Sequence, residues 1–385
     1  MKPDAIMKLG VVTQLICELF TYGLVAITVF SSAFGAPLFA PITAFVVLAL
    51  FIDMAVGTCD PWVRVLGDAP KEAYDGKVVW ITGASQGLGE ELALHLAKLG
   101  AKLIVTSRRI DVLQKLCAAC DACSASDAKP LVLDARGGAS AAKKASDNAL
   151  QMAKQMTGNE NAGIDYLFHV AGGSQHAAAE DTTEEVDRDM FEINVMSAIG
   201  LTKAVLPSML GRRTGTIVAI GSMAVKCPAP GQATYSATKA ALAAFCHSLR
   251  GEVADRGVRV TVAHPGPIAT GLGGQTRVVY GATLEKSTCD TDAGKSDEKA
   301  KTNASEQKGA VVGKKEKRLD AGWTARRIAA GAAFGLDEVV LAKQPIMLLR
   351  HFMRFVPTVG YRVLNKVGPK RTRAARSGKS MYDLK

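Results

Sequence analysis

The chain has 385 residues, of which 48% are hydrophobic, 22% charged and 6% aromatic. That composition excludes a wholly disordered chain, a collagen-like repeat and a coiled coil, and eight cysteines are too few for a disulfide-stapled scaffold. The formal charge of +11 is uneven: residues 311–385 carry 17 Lys and Arg against 5 Asp and Glu, a net of +12, so the remainder nets −1 and nucleic acid is not an expected partner.

The chain begins apolar. Leu19–Ile52 is a run of 34 residues without Asp, Glu, Lys or Arg. About 20 apolar residues cross a bilayer as a helix. Pro37 and Pro41 interrupt the run, which predicts a helix near Val11–Phe34 and a second near Ile42–Val56. A re-entrant hairpin fits equally, and a cleavable signal peptide fits less well because the apolar character continues past Ser31–Ala33. Lys2 and Lys8 on one side, with Arg64 and Lys71 on the other, leave the orientation open. Residues 1–75 are expected to be a membrane anchor and linker.

From residue 76 to 281, strand and helix patterns alternate. Strands are predicted at Lys77–Thr82, Lys102–Thr106, Leu131–Leu133, Ile164–Val170, Thr216–Ile220 and Arg259–Ala263. Helical spacing fills the intervals, as at Leu88–Leu99 and Ala233–Val253. This is the pattern of an α/β, Rossmann-like doubly wound parallel sheet, with its ligand site at the carboxyl ends of the strands. Residues 282–318 are rich in Lys, Asp, Glu, Ser, Thr, Ala and Gly and are expected to be a disordered insertion. A helix from Trp323 to about Phe334 and a strand near Glu338–Ala342 complete the domain over 319–349. Residues 350–385 are expected to form a basic amphipathic tail. Arg350, Arg354, Arg362 and Lys366 interleave with apolar residues over Ile346–Lys366, and Lys370, Arg371, Arg373, Arg376 and Lys379 follow. That pattern suits a helix lying on anionic lipid.

Thr82-Gly83-Ala84-Ser85-Gln86-Gly87-Leu88-Gly89 follows a strand and opens a helix. Gly83 allows a tight turn, Gly87 lets a phosphate approach the backbone, and Gly89 lets helix and strand pack closely. The helix N-terminus offers N–H groups and a positive dipole end to a pyrophosphate. Ser85, Gln86 and Leu88 belong to the same turn. The second strand ends in Thr106-Ser107-Arg108-Arg109, where an NAD-selective site would place an acid. Ser107, Arg108 and Arg109 instead suit a 2′-phosphate, so the expected cofactor is NADP(H). Asp134 ends the third strand and could accept from the adenine amino group.

Tyr235-Ser236-Ala237-Thr238-Lys239 begins a helix, and its Tyr and Lys share a face. A cation one turn away stabilises a phenolate, which makes Tyr235 a candidate proton donor to a ketone. Ser222 lies 13 residues earlier at a strand end and could hydrogen-bond the same substrate oxygen. Asn194 sits on a predicted helix and could hold a water leading to Lys239. Cys117, Cys120 and Cys123 share a helix only partly on one face, and no clustered His completes a metal site, so no metal is expected. His264 could touch the cofactor, although a packed loop residue is the favoured reading. Asn303-Ala304-Ser305 is a glycosylation sequon, usable if that region is lumenal.

On TGASQGLG at 82–89, Asn194, Ser222, YSATK at 235–239 and PGPIAT at 265–270, the chain resembles the short-chain dehydrogenase/reductase family. The resemblance implies that Asn194, Ser222, Tyr235 and Lys239 are the catalytic set. It also implies that Pro265, Ile268 and Thr270 border the nicotinamide, and that Ala171 and Gly172 lie beside the cofactor. Where the family reads Asn-Asn-Ala-Gly, this chain reads His169-Val170-Ala171-Gly172, so both amides that brace the sheet near the adenosine are absent. VVWITGASQGLGEELALHLAKLGAKLIVTSRR, LTKAVLPSM and DEVVLAKQPIMLLRHFMRFVPTVGYRVLNKVGPKR look like the membrane-bound dehydrogenase/reductase SDR family member 7 group within it. That likeness implies the endoplasmic reticulum membrane and a hydrophobic carbonyl or alcohol substrate such as a steroid or retinoid. The rival readings are a 3-ketosphinganine-type long-chain ketone reductase and a catalytically idle nucleotide-binding scaffold. Membrane lipids are the other expected partners, and assembly as a homodimer is left open.

Overall fold

The structure is a computed structural model that describes residues 57–123, 127–269, 279–283, 286–287 and 318–377. The apolar run, the sequon and Thr270 lie outside the described residues. So does the insertion, apart from its edges.

After a short helix α1 (Pro61–Leu66), strand and helix alternate. The strands are β1 (Val78–Thr82), β2 (Lys102–Ser107), β3 (Ala128–Val132), β4 (Tyr166–His169), β5 (Ser174–Gln175), β6 (Gly215–Ile220) and β7 (Val258–Pro265). Between them run α2 (Gly87–Lys98), α3 (Ile110–Cys123), α4 (Gly138–Thr157), α5 (Glu184–Phe191), α6 (Ser197–Arg212), α7 (Met223–Lys226) and α8 (Ala233–Val253). Then come β8 (Ile268–Ala269), β9 (Val279–Tyr280), β10 (Lys286–Ser287), β11 (Leu319–Asp320), α9 (Ala321–Ala333), β12 (Glu338–Leu341), α10 (Ile346–Phe355) and α11 (Pro357–Arg376).

Seven strands form one parallel sheet in the order β12-β7-β6-β4-β1-β2-β3. β1 is buried at all five positions, as expected of a strand covered on both faces. One face packs α2, α3 and α9 through residues such as Leu92, Leu113 and Ile328. The other packs α4, α6 and α8 through Ala149, Leu201 and Leu242. Chain order reverses between β1 and β4, and a crevice opens at the carboxyl ends there. Among the described residues one helix, the continuous run Glu184–Arg212, is long and apolar enough to cross a membrane. It is a layer helix of this sheet, with Leu201, Val205 and Met209 in the core.

The segment entering the fold pairs with the outer edge of β12. Cys59 bridges Leu341, Ala342 N donates to Thr58 O at 2.9 Å, and Asp60 is ion-paired with Arg350 at 2.7 Å. Lys286–Ser287, at the start of the expected insertion, pair antiparallel with β9. The C-terminal amphipathic stretch is two helices: the chain breaks at Val356, where Pro357 opens α11. Cys117 and Cys120 are packed in the core on α3, and Cys123 is exposed.

His169, which replaces the first family amide, is fully sequestered at the end of β4. Its Nε2 meets Thr202 Oγ1 of α6 at 2.8 Å, so it ties sheet to helix. Burial pushes its pKa down to about 4. An unfolded histidine takes up a proton near pH 6.5 whereas the folded one resists until about pH 4, so stability falls as pH drops through that window. The full effect is bounded at about 3 kcal/mol. The detergent-solubilised parent is therefore expected to lose melting temperature between pH 6.5 and 4 more steeply than His169→Gln. Equal slopes would show that His169 does not contribute.

Candidate active site

The site is built around the end of β1. Thr82 pairs laterally with Thr106 and with His169. Its Oγ1 accepts from Val170 N (3.1 Å) and Ala171 N (3.2 Å) and donates to Phe168 O (3.3 Å). These bonds hold the β4 exit against β1 where the family amides are missing. Gly83 then takes φ +68°, and a Cβ there would lie 2.6 Å from Ala171 Cα. A Cβ on Gly89 would lie 2.3 Å from Gly83 O. Both glycines are required by close approach of main chain to main chain.

Helix α2 starts after Gln86, whose own side chain does not cap it, while the Glu90 carboxylate accepts from the Gly87 backbone N–H. Its first N–H groups face a cavity of about 1080 Å³ lined by Gly83, Ser85, Gln86, Gly87, Leu88 and Gly89. Ser107, Arg108, Arg109, Asp134, Ala171 and Gly172 continue the wall. Arg109 reaches back over the turn, its Nη2 bonding Ser85 Oγ (3.2 Å) and Gln86 Oε1 (3.0 Å). Asp134 is exposed, and its Oδ1 accepts from Arg136 N at 3.1 Å. A helix start opening on the cavity, two glycines that clear the main chain and a cavity of this size fit a dinucleotide.

At the other end of the cavity stand Ser222, Tyr235 and Lys239, with Pro265 and Ile268. Ser222 follows β6 and caps α7, its Oγ accepting from Ala224 N at 3.1 Å. Tyr235 is half-buried on α8. Lys239 is buried one turn on, its Nζ donating to Ile220 O at 2.8 Å and lying 6.0 Å from the Tyr235 ring centre. Asn194 is behind the wall. A π-helical turn, Glu192–Met196, joins α5 to α6 and turns its carboxamide toward the β4 exit. Asn194 Oδ1 accepts from Gly173 N (2.8 Å), and Nδ2 donates to Gly173 O (3.2 Å) and Thr238 Oγ1 (3.0 Å). The sequence reading gives it a water; the structure shows it bridging the β4 exit to α8. A Cβ on Gly172 would lie 2.9 Å from Asn194 Oδ1 and 3.2 Å from Lys239 Nζ, so a side chain there would displace the two polar groups.

Every candidate among the described residues therefore meets in or directly behind one cavity. Some neighbours escape the sequence reading. Arg136 pairs with Asp189 of α5 (2.6 Å) and donates to the hydroxyl of Tyr280, linking the Asp134 end to β9. Ile346 and Leu349 of α10, with Leu364, Val367 and Arg371 of α11, roof the cavity. His264 is fully buried within β7 rather than in a loop, and it is not part of the cavity wall. Its Nδ1 meets Ser222 O at 3.3 Å and its Nε2 lies 3.4 Å from Glu338. His247, His264 and Glu338 bring three ligand atoms within 4.8 Å of one another. Lys226 already contacts Glu338 at 2.8 Å, and Arg250 contacts His247 Nδ1 at 3.0 Å, so protein cations balance the carboxylate. Burial opposes ionisation of Glu338, but His264 and Lys226 hold it well below the usual carboxylate range.

A sequence model described as short chain dehydrogenase matches residues 77–278. Human "Dehydrogenase/reductase SDR family member 7" is 31% identical over 323 residues, covering 82% of this chain and 85% of that protein. Mouse "Dehydrogenase/reductase SDR family member 7B" is 37% identical over 214 residues, covering 54% of this chain and 63% of that protein. Among solved structures, a short-chain dehydrogenase from Streptomyces avermitilis superposes with a TM-score of 0.56 at 27% identity, covering 77% of this chain and 99% of its own. An alcohol dehydrogenase from Thermococcus sibiricus, complexed with 5-hydroxy-NADP, shares the fold with a TM-score of 0.54 at 22% identity, covering 70% and 97%.

Proposed function

Because this chain belongs to the short-chain dehydrogenase family, oxidoreductases of CH–OH groups that use a nicotinamide nucleotide, we propose that it interconverts a carbonyl and an alcohol on a hydrophobic substrate, with NADP(H), at a membrane. The observation that carries this reading is the convergence of Ser222, Tyr235 and Lys239 on the cavity that the glycine turn also lines.

The glycine turn and the start of α2 would hold the pyrophosphate. Asp134 would receive the adenine, and Ser107, Arg108 and Arg109 the 2′-phosphate. Lys239 would hold the nicotinamide ribose, with Pro265 and Ile268 beside the ring. When bound, the reduced nicotinamide supplies hydride to the carbonyl carbon. The chain's own work is at the oxygen. Ser222 donates a hydrogen bond to it and fixes its position, and Tyr235 hands over its phenolic proton. Lys239 places positive charge beside the tyrosinate that remains. Asn194 acts one step removed: by joining Gly173 to Thr238 it fixes the β4 exit against the helix that carries Tyr235 and Lys239.

NADP(H) is favoured because two cations and no acid follow β2. Membrane residence rests on the 34-residue uncharged run and the basic C-terminal helices, with the anchor placed before Gly57 rather than extending to residue 75, because Cys59, Val63 and Tyr74 are packed in the core of the fold. The resemblance favours the endoplasmic reticulum and a steroid- or retinoid-like substrate.

Tyr235→Phe is expected to lower kcat by about 100-fold or more, the range of a lost general acid, while the dissociation constant for NADPH stays unchanged. Turnover equal to the parent would overturn the role of Tyr235, and a parent that binds NADPH but reduces no carbonyl would favour an idle nucleotide-binding role. Replacing Arg108 and Arg109 together with Ala is expected to lower the NADPH-to-NADH ratio of kcat/KM by about tenfold or more. An unchanged ratio would overturn the cofactor assignment.

A further inference from the structure

The outer surface of α10 and α11 is apolar where a soluble enzyme would be polar. Of the twelve large apolar side chains exposed among the described residues, seven lie between Phe352 and Val367. Phe355 is 55% exposed and Tyr361 53%. Isolated exposed apolar residues need no explanation, but a contiguous patch marks a docking surface. The same two helices expose Arg354, Arg362, Lys366 and Lys370 and no acid, which matches an anionic partner.

These helices are not loose. Arg371 donates to Pro230 O at 2.9 Å, and Arg376 pairs with Glu180 and Asp181. On α11, Gly360 packs against Met353 of α10, Leu364 lines the cavity and Gly368 packs against Pro230 of the body. Ile346, Leu349, Leu364 and Val367 line the cavity from this side. Val363 and Val367 are both cavity wall and exposed surface, so the cavity mouth opens through the apolar face itself.

The N-terminal end of the fold arrives at the same place. Gln344, two residues before α10, donates to Gly57 O at 3.1 Å. The uncharged run ends at Ile52, five residues before Gly57. Whatever that run enters must therefore lie beside α10.

We propose that the outer face of α10 and α11 rests on an anionic lipid bilayer, the same bilayer entered by the N-terminal run, and that it seats the cavity mouth on the lipid so that a hydrophobic substrate passes between membrane and active site without crossing water. Three features support it: the exit at Gly57 beside the segment that leads into α10, the apolar patch from Phe352 to Val367, and the exposed cations on the same two helices. Substrate passage rests on the function proposed above; the docking surface does not.

The test uses the full chain in vesicles of phosphatidylcholine and phosphatidylserine with brominated acyl chains, and reads quenching of a tryptophan added at one site. Phe355→Trp and Val367→Trp are expected to lose most of the added emission. Val132→Trp, exposed on β3 at the opposite edge of the sheet, is expected to keep it. Equal quenching at all three sites, or at none, would overturn the proposal. Emission from Phe355→Trp that is already shielded in detergent and indifferent to bromine would also overturn it, and would assign the face to a second copy of the chain. Quenching at position 355 without quenching at 367 would overturn the seating of the mouth. None of these readings needs turnover, so an inactive protein that is quenched would separate failure of the catalytic assignment from failure of this one.

Discussion

Where β1 and β4 part, the Thr82 hydroxyl accepts from two consecutive amides, Val170 and Ala171. That clasp holds the two central strands together at the point where strand order reverses. It brings Ala171 against Gly83 so closely that no side chain fits at that glycine. Gly172 then passes between Asn194 and Lys239, and Gly173 is gripped on both its N–H and its C=O by the Asn194 carboxamide. Phosphate turn, catalytic lysine and tyrosine helix are thus set relative to one another by a single crossing of main chain. Buried main-chain amides are costly to leave unpaired, so this arrangement tolerates little drift.

Much of this was readable from the chain. Short continuous apolar runs place the strands of the sheet to within three residues, and the helix over Ala233–Val253 matches end to end. The glycine turn, Ser222, Tyr235 and Lys239 announce themselves because each depends on local spacing that the fold preserves. Three features were not readable. The sequence predicts a helix at Asn194, but a π-helical turn carries it, and its side-chain partners Gly173 and Thr238 are remote in sequence. His169 looked like a lost brace, yet its partner Thr202 lies 33 residues away on α6. The roof of the cavity came from Ile346–Val367, where composition showed an amphipathic segment but not that its second face would close the site. The break at Val356 did have a local signal, since a residue before proline avoids helical geometry.

Charge follows the same division. The body is nearly neutral, and two of its half-buried carboxylates are met by protein cations: Glu338 by Lys226, Asp189 by Arg136. Asp60 is the exception in degree. Burial pushes its pKa up to about 6 even with Arg350 beside it, because nearly complete removal from water outweighs one ion pair. The surplus positive charge lies in the C-terminal quarter of the chain, while Arg108 and Arg109 beside the glycine turn concentrate local positive charge within an otherwise neutral body.

The central claim is that this cavity moves a hydride between a nicotinamide and a carbonyl. The most direct measurement is isotope transfer. Full-length protein in vesicles would receive NADPH deuterated at the nicotinamide C4 position and, in turn, a steroid ketone, a retinal and a long-chain 3-ketone, with the alcohol products read by mass spectrometry. Stereospecific transfer of one deuterium to the carbinol carbon of at least one product is the predicted result. Consumption of no carbonyl, or alcohol formed without deuterium from either face of the nicotinamide, would contradict it.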